Sequence, residues 1–381
     1  MGKMIYLDNA ATTKTAPEVV EAMLPYFTEF YGNASTVYDF AANSKAAIAK
    51  GRQQIADVIG AKKEEIYFTA GGSESDNWAL KATFEAYKNK GNHIITTKIE
   101  HHAILHTCEY LEKRGFEITY IDVDENGILK LDDLKAAIRP DTILISVMFA
   151  NNEIGTIQPI KEIGAIAKEH GILFHTDAVQ AYGHIPINVD EMNIDLLSAS
   201  GHKFNGPKGV GIMYIRKGVK IRSFIHGGSQ ERGRRAGTYN VPGIAGLGKA
   251  AELIYENHEE KIAHIREIKE HFIKRVMEEI PDVKDNSGDA PHVASISFLG
   301  VRSEVLLHAL EEREIYVSAG SACSSNKPEV SGTLKGIGLT KEYYESTLRF
   351  SFSIFNTVEE ADICVEALKE LLPMLRRFTR R

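Results

Sequence analysis

Residues 197–209 read LSASGHKFNGPKG, and this stretch decides both the fold class and the chemistry of the chain. A short apolar strand ends here in small residues, and a glycine–proline turn leads to a second apolar strand at 210–215. Lys203 therefore stands where a strand ends, a position at which a lysine can be desolvated and its pKa lowered. A neutral amine at such a place can form a Schiff base with a carbonyl compound.

Asp177 is an acid that complements this lysine. It follows another apolar strand, within residues 175–180, which read HTDAVQ. A carboxylate in that position is costly unless it is paired, and a protonated pyridine nitrogen would pair it. Enzymes that use pyridoxal 5'-phosphate (PLP) need a Schiff-base lysine and an acid near the pyridine nitrogen. Taken alone, Lys203 would more often be an ordinary solvated loop lysine; the motifs around it favour the PLP interpretation.

The chain between about residues 60 and 215 alternates short apolar runs with amphipathic stretches. Such alternation predicts an α/β fold in which helices cover both faces of a mostly parallel sheet. Ligands in these sheets bind at the carboxyl ends of the strands, where Lys203 and Asp177 both lie. The predicted strands are 65–69, 93–97, 117–123, 142–149, 173–176 and 195–198, and the predicted helices between them are 76–88, 102–113, 131–138 and 160–170.

A second, smaller α/β unit is predicted in the C-terminal part of the chain. A long helical pattern runs from about 244 to 280, and we place the boundary between the units within it. We expect a large domain at 15–255 and a small domain made of 1–14 and 256–381. The small domain is predicted to contain strands at 294–298, 315–318 and 347–351 and helices at 304–313 and 358–378.

Composition limits the classes of function. The 381 residues are 43% hydrophobic and 25% charged, with a net charge of −7, so no basic field favours direct contact with nucleic acid. No apolar run is long enough for a membrane span or a signal peptide. The three cysteines, at 108, 323 and 364, are too few for a disulfide framework and too widely spaced for a CxxC motif. We expect a cytoplasmic protein.

Residues 68–77, FTAGGSESDN, predict a strand, a glycine turn and the start of a helix. Ser73 with Asp76 resembles a capping box, which would place Ser73 near the N-cap. The free N–H groups and the dipole of a helix start favour an anion, so Gly72 and Ser73 are candidates for binding a phosphate. An ordinary connection between strand and helix is the alternative.

Two further strand ends carry candidate polar groups. His101, in Glu100-His101-His102, could stack on a flat cofactor or move protons. We expect no metal here, because neighbouring residues on a helix point apart and no third ligand is near in sequence. Asn152, in the stretch 151–156, could donate to a cofactor oxygen or simply belong to a polar turn.

Three residues of the second half of the chain also stand out. Thr238 ends a loop, 227–238, that is rich in glycine and arginine and would bind an anion, contact a second subunit or simply be solvated. Cys323 lies in a small, polar stretch and is predicted to be accessible and reactive, whereas Cys108 and Cys364 lie in amphipathic patterns and are predicted to be core residues. Arg349 is embedded in a strand, where a guanidinium needs a carboxylate.

Read together, these motifs resemble the cysteine desulfurases, PLP enzymes of the class V aminotransferase group with fold type I. The resemblance covers nearly the whole chain and begins at Tyr6-Leu7-Asp8-Asn9-Ala10-Ala11-Thr12-Thr13. It implies a large domain with a mostly parallel seven-stranded sheet and a smaller α/β domain. Two segments depart from the family pattern near the expected substrate mouth. These are Gly32-Asn33-Ala34-Ser35-Thr36-Val37-Tyr38, which lacks the usual proline and the histidine that follows it, and Ser351-Phe352-Ser353-Ile354-Phe355, which lacks a second arginine.

The resemblance also implies a role for each candidate residue. Lys203 would attach PLP and move protons, Cys323 would accept the sulfur of L-cysteine as a persulfide, and His101 would stack on the cofactor. Arg349 and Asn33 would bind the substrate carboxylate. The remaining implied PLP contacts are Asp177 at the ring nitrogen, Asn152 and Gln180 at the phenolate oxygen, and Gly72, Ser73, Ser200 and His202 at the phosphate. The resemblance also implies a homodimer, in which Thr238 of the second subunit would reach this phosphate. The sulfur acceptor would be an iron–sulfur scaffold or a tRNA-thiolation protein.

Two other functions compete with this one. Another PLP enzyme, such as an aminotransferase or a selenocysteine lyase, would need Lys203 but not Cys323. A binding module that retains the fold without catalysis would need neither. The intact Lys203, Asp177 and His101 favour an enzyme.

Overall fold

Seven strands form a sheet in the order β2-β8-β7-β6-β5-β3-β4 in the computed structural model, which describes residues 4–319 and 331–379. All of these strands run parallel except β8, which is antiparallel to both of its neighbours. The predicted mostly parallel seven-stranded sheet is therefore confirmed. The strands are β2 (Ile66–Thr69), β3 (His93–Thr97), β4 (Glu117–Ile121), β5 (Thr142–Ser146), β6 (Leu173–Asp177), β7 (Leu196–Ser200) and β8 (Gly211–Ile215).

Helices cover both faces of this sheet. Alternate strand residues face opposite sides, and Ile94 and Ile95 of β3 accordingly belong to two different apolar clusters. Their partners in β5, Leu144 and Ile145, divide in the same way. Burial on both faces explains why these strands read as continuous apolar runs. The helices up to residue 255 are α1 (Pro17–Met23), α2 (Pro25–Thr28), α3 (Ala42–Val58), α4 (Gly72–Tyr87), α5 (His102–Glu112), α6 (Leu131–Ala137), α7 (Ile160–Glu169) and α8 (Val241–Tyr255).

The C-terminal part of the chain has a sheet and an apolar cluster of its own. The antiparallel strands β9 (Val283–Asp285), β10 (Val293–Phe298) and β12 (Thr347–Ser351) pair in the order β12-β10-β9, and β1 (Ile5–Tyr6) pairs in parallel with β11 (Ile315–Tyr316). Ile5 and Leu7 belong to the same cluster as residues of β10 and β12. This packing supports our proposal that 1–14 and 256–381 form one small domain. Its helices are α9 (His258–Glu279), α10 (Ser303–Glu311), α11 (Gly332–Gly336), α12 (Lys341–Tyr344) and α13 (Val358–Thr379).

The helical pattern predicted from 244 to 280 is broken in the structure. α8 ends at Tyr255 and α9 begins at His258. Between them, Asn257 adopts a left-handed conformation, with φ of 54°, which interrupts a right-handed helix. The break falls at the boundary proposed between the domains.

No helix within residues 4–319 and 331–379 combines the length needed to span a membrane with sufficient apolar character.

Candidate active site

The carboxyl ends of the parallel strands surround a cavity of about 310 Å³. Loops after β2, β3, β5, β6 and β7 reach it, as expected for ligand sites in such sheets. Ala10 and Ala11 of the N-terminal segment close one side. Ten of the predicted site residues line this cavity: Gly72, Ser73, His101, Asn152, Asp177, Gln180, Ser200, His202, Lys203 and Arg349.

Lys203 lies directly after β7, at the end of the short 3-10 helix Gly201–Lys203. Its Nζ donates hydrogen bonds to the carbonyl oxygens of Ala10, at 2.6 Å, and Ala11, at 2.9 Å. The N-terminal segment is held over this helix because Thr13 donates its backbone N–H to the His202 carbonyl. The amine is thus half-buried and faces the cavity, as a lysine that must meet a bound carbonyl compound requires.

Asp177 is the last residue of β6 and is only 5% exposed. Its Oδ1 accepts the backbone N–H of Val179 at 2.9 Å. Burial raises the pKa of Asp177 to about 6, and that backbone N–H and the charge of Lys203 oppose the rise. Asp177 therefore offers a carboxylate at neutral pH, in a place where a cationic ring nitrogen would pair with it.

His101 is the N-cap residue of α5. Its Nδ1 accepts the backbone N–H of Ala103 at 3.1 Å, so the proton of the neutral ring lies on Nε2. Burial, followed by the charge of Lys203, lowers the pKa of His101 to about 4. The ring is therefore neutral at physiological pH and suited to lie against a flat cofactor.

Asp76 is a site residue that the sequence did not reveal. It is 1% exposed, and one atom each of Asp76, His101 and Asp177 lie within 4.8 Å of one another. Burial and the neighbouring Asp177 raise the pKa of Asp76 well above its usual value, which favours its protonated form. The capping box predicted for Ser73 and Asp76 is wrong, since Gly71 is the N-cap and has no side chain. The sequence does contain a feature that could have revealed Asp76 as a site residue: it lies four residues after Gly72 and therefore on the same face of the helix.

Another part of the cavity lining is suited to an anion. The first turn of α4 presents Gly72 and Ser73 there, beside Ser200 and His202. A Cβ atom on Gly72 would lie 2.6 Å from Val179 Cγ2, so the close approach of these two segments requires glycine. Burial, followed by Lys203, lowers the pKa of His202 to about 4. N–H groups at a helix start, hydroxyls and a neutral imidazole are groups that could together bind a phosphate.

Arg349 enters the cavity from β12 and is 4% exposed. Its Nη1 donates to the carbonyl of Asn152 at 2.8 Å, and its Nη2 donates to Asp8 Oδ1 at 2.8 Å. The guanidinium is therefore held in one orientation at the edge of the cavity, with further N–H groups that could bind a carboxylate.

Three predicted site residues are not part of this lining. Asn33 lies in an exposed turn, where its Oδ1 accepts the N–H of Ser35 at 2.9 Å. Thr238 is exposed and is not among the residues of its own chain that line the cavity. Cys323 lies outside the described residues. Both described cysteines, Cys108 and Cys364, are fully buried, which confirms the prediction that they are core residues.

PLP fits the residues that line the cavity. The lining of this cavity of about 310 Å³ includes an amine, Lys203, the two acids Asp76 and Asp177, and the candidate anion site. The first turn of α4 offers backbone N–H groups that could bind a phosphate. An aldehyde, a pyridine nitrogen and a phosphate are the groups of PLP that match these three features.

Comparison with known proteins agrees with this geometry. The aminotransferase class-V family model matches residues 5–364. The cysteine desulfurase IscS of Clostridium botulinum is 51% identical over 384 residues, covering 100% of this chain and 97% of that protein. A solved NifS-like protein matches with a TM-score of 0.92 at 38% identity, over 98% of this chain and 100% of that one. The structure of SspA in complex with cysteine matches with a TM-score of 0.82 at 37% identity, over 93% and 100%.

These similarities extend over both parts of the chain and confirm the predicted PLP fold type I. The chain belongs to the class-V aminotransferase family and, within it, to the cysteine desulfurases, which are PLP-dependent enzymes.

Proposed function

We propose that this protein transfers the sulfur atom of L-cysteine to Cys323 and releases L-alanine. The observation that carries the proposal is the convergence of Lys203, Asp177 and Arg349 on one cavity. The reaction is balanced: the Cβ–S bond of the substrate breaks, a bond forms between that sulfur and Cys323 Sγ, and the protons of the two thiols supply the methyl group and the persulfide.

The cofactor is PLP, held by the residues that match its three groups. Lys203 would supply the amine that attaches it, Asp177 would keep the ring nitrogen protonated, and His101 would lie against the ring. Ser73, Ser200 and His202 bind the phosphate with the backbone of α4. Bound PLP supplies an electron sink for the bond changes at the substrate Cα and Cβ.

The substrate is oriented by its carboxylate. Arg349 binds that group, and its contacts with Asp8 and Asn152 hold the guanidinium in place before the substrate arrives. With PLP bound, Lys203 would move a proton at the substrate Cα. Cys323, as a thiolate, attacks the substrate sulfur. The solved structure of SspA with cysteine supports this choice of substrate.

The protein is proposed to act as a homodimer. Thr238 is exposed and does not line the cavity of its own chain, as expected for a residue that completes the phosphate site of the second copy. The exposed apolar residues of α1, α2 and the following loop offer surface for that copy; they include Leu24, Phe27 and Tyr31.

The persulfide sulfur is proposed to pass to a protein acceptor, either an iron–sulfur scaffold or a tRNA-thiolation protein. A cytoplasmic location suits this role, since a reducing compartment keeps a catalytic thiol available.

The test is to incubate the purified protein with L-cysteine and a reductant and to measure alanine and sulfide together. We expect both in equal amounts, and neither from the Lys203→Ala variant. Cys323→Ala separates the rival PLP enzymes, because a selenocysteine lyase or an aminotransferase would not need this thiol. Unchanged sulfide release from Cys323→Ala, or no alanine from the intact protein, would contradict the proposal.

A further inference from the structure

We propose that His292 is a positioning residue for this reaction, because it fixes the side-chain amide of Gln180 so that one N–H of that amide faces the cofactor cavity. The inference rests on the proposed PLP-dependent function. His292 does not line the cavity itself and acts through Gln180.

Gln180 is held by two partners on different segments. Its Nε2 donates to the carbonyl oxygen of Ala10 at 2.9 Å, and its Oε1 lies 3.0 Å from His292 Nε2. An amide oxygen only accepts, so His292 must donate. A flipped amide would place oxygen against the Ala10 carbonyl and N–H against the His292 N–H. The two partners therefore exclude the flipped state, and the orientation follows from the hydrogen-bond network.

The protonation state of His292 supports this direction of donation. The side chain is 1% exposed, and its Nδ1 has no hydrogen-bond partner among the described residues. Burial is the main cause that lowers the pKa of His292 well below its usual value, and the neighbouring His184, Lys269, Arg349 and Lys203 add to it. The ring is therefore neutral, and its single proton lies on the nitrogen that has an acceptor.

The plane of the His292 ring is fixed by His184. The two rings stack with centroids 3.9 Å apart and an angle of 17°. His292 immediately precedes β10, and its carbonyl accepts the N–H of Phe352 at 2.9 Å. His184 follows β6, so the stack joins the C-terminal part of the chain to the segment that carries Gln180.

This arrangement leaves the second N–H of the Gln180 amide to the cavity that Gln180 lines. An N–H donor stabilises an anionic oxygen next to it. It therefore favours the deprotonated form of a group that is conjugated to that oxygen. His292 thus adjusts the proton affinity of the bound cofactor from a distance. Without its donation, the buried Gln180 oxygen is unsatisfied and the amide is free to rotate.

The test is a pH titration of the visible absorbance of the holoenzyme, with the dissociation constant of PLP as a second measurement. His292→Phe keeps an aromatic ring against His184 but removes the donor. We expect the pH at the midpoint of its absorbance change to rise by about 0.5 to 1 pH unit, the effect of losing one hydrogen bond. Gln180→Leu should shift in the same direction, and the double variant should shift no further than Gln180→Leu alone.

Two matched variants separate this effect from general loss of structure. His184→Phe keeps the donor and the stack, so its midpoint should equal that of the intact protein. His292→Gln retains an N–H donor, so its midpoint should return most of the way to that of the intact protein. This variant also keeps the proposal testable if His292→Phe does not fold. The proposal is overturned if His292→Phe titrates like the intact protein while Gln180→Leu shifts, or if His184→Phe shifts as much as His292→Phe. An intact protein without any PLP absorbance would instead refute the proposed function.

Discussion

Arg349 and Asp8 form an ion pair at the edge of the cavity, with Arg349 Nη2 donating to Asp8 Oδ1 at 2.8 Å. The two side chains are 5% and 19% exposed. They lie 341 residues apart in the chain, and the pairing brings the N-terminal motif to the end of β12. Because Arg349 also donates to Asn152, removal of Asp8 would leave the guanidinium with one fewer restraint.

We predict that Asp8→Ala raises the KM for L-cysteine by about tenfold, the effect of losing one hydrogen bond to a charged group. Asp8→Asn keeps an oxygen acceptor and should have a smaller effect. Steady-state kinetics check both variants, and PLP absorbance serves as the control for an intact cofactor site. A KM in Asp8→Ala equal to that of the intact protein would show that Asp8 does not orient Arg349.

Lys203→Ala is predicted to lose the visible absorbance of the holoenzyme and to lower the turnover of L-cysteine by at least about a thousandfold. The reason is that no other amine would attach the cofactor or move the proton at Cα. Lys208 is an exposed lysine five residues later, and Lys208→Ala is the matched control that should behave as the intact protein. Normal turnover by Lys203→Ala would refute the assignment.

Asp177→Asn is predicted to weaken PLP binding and to lower turnover by about a hundredfold or more, because the ring nitrogen loses its anionic partner. Asp76→Asn should change both far less, since an amide resembles the protonated form of Asp76 that burial and Asp177 favour. Equilibrium binding of PLP and kcat distinguish the two acids. Equal losses in both variants would mean that Asp76 also carries negative charge.

The stability of the protein should depend on the protonation of His184. Burial lowers the pKa of His184 from 6.5 to about 4. Between these values the unfolded chain binds a proton that the folded chain does not, so stability is lost as the pH falls below 6.5. This single group should account for about 2 kcal/mol between pH 7 and pH 5.

His184→Phe should therefore reduce the pH dependence of the unfolding free energy by that amount while keeping the ring stack. Urea unfolding of the holoenzyme at pH 7 and pH 5 measures the difference. A variant that loses as much stability on acidification as the intact protein would show that His184 is protonated in the folded state.

The local sequence pattern was sufficient to predict the sheet and most of the cavity. β3 and β12 have the predicted bounds, because buried apolar strands flanked by polar turns are a local signal. The site residues at strand ends followed from the rule that ligands bind at the carboxyl edge.

Other features depend on contacts that no local pattern contains. Asp76 is buried because α4 packs against the sheet, and the His292 contact with Gln180 spans 112 residues. The break between α8 and α9 was missed because an asparagine in a left-handed conformation looks, in sequence, like a tolerable helix residue. The site roles of Asn33 and Thr238 remain predictions, since the geometry of a single chain does not bring either residue to the cavity.

The most direct test of the central claim is mass spectrometry of the Cys323 peptide after incubation with L-cysteine without reductant. The account predicts that this peptide gains the mass of one sulfur atom, in step with the release of alanine, and that it does not do so in Lys203→Ala. The peptides of Cys108 and Cys364, which are fully buried, should stay unmodified and serve as internal controls. Alanine released in several turnovers with no added sulfur on Cys323 would contradict the account.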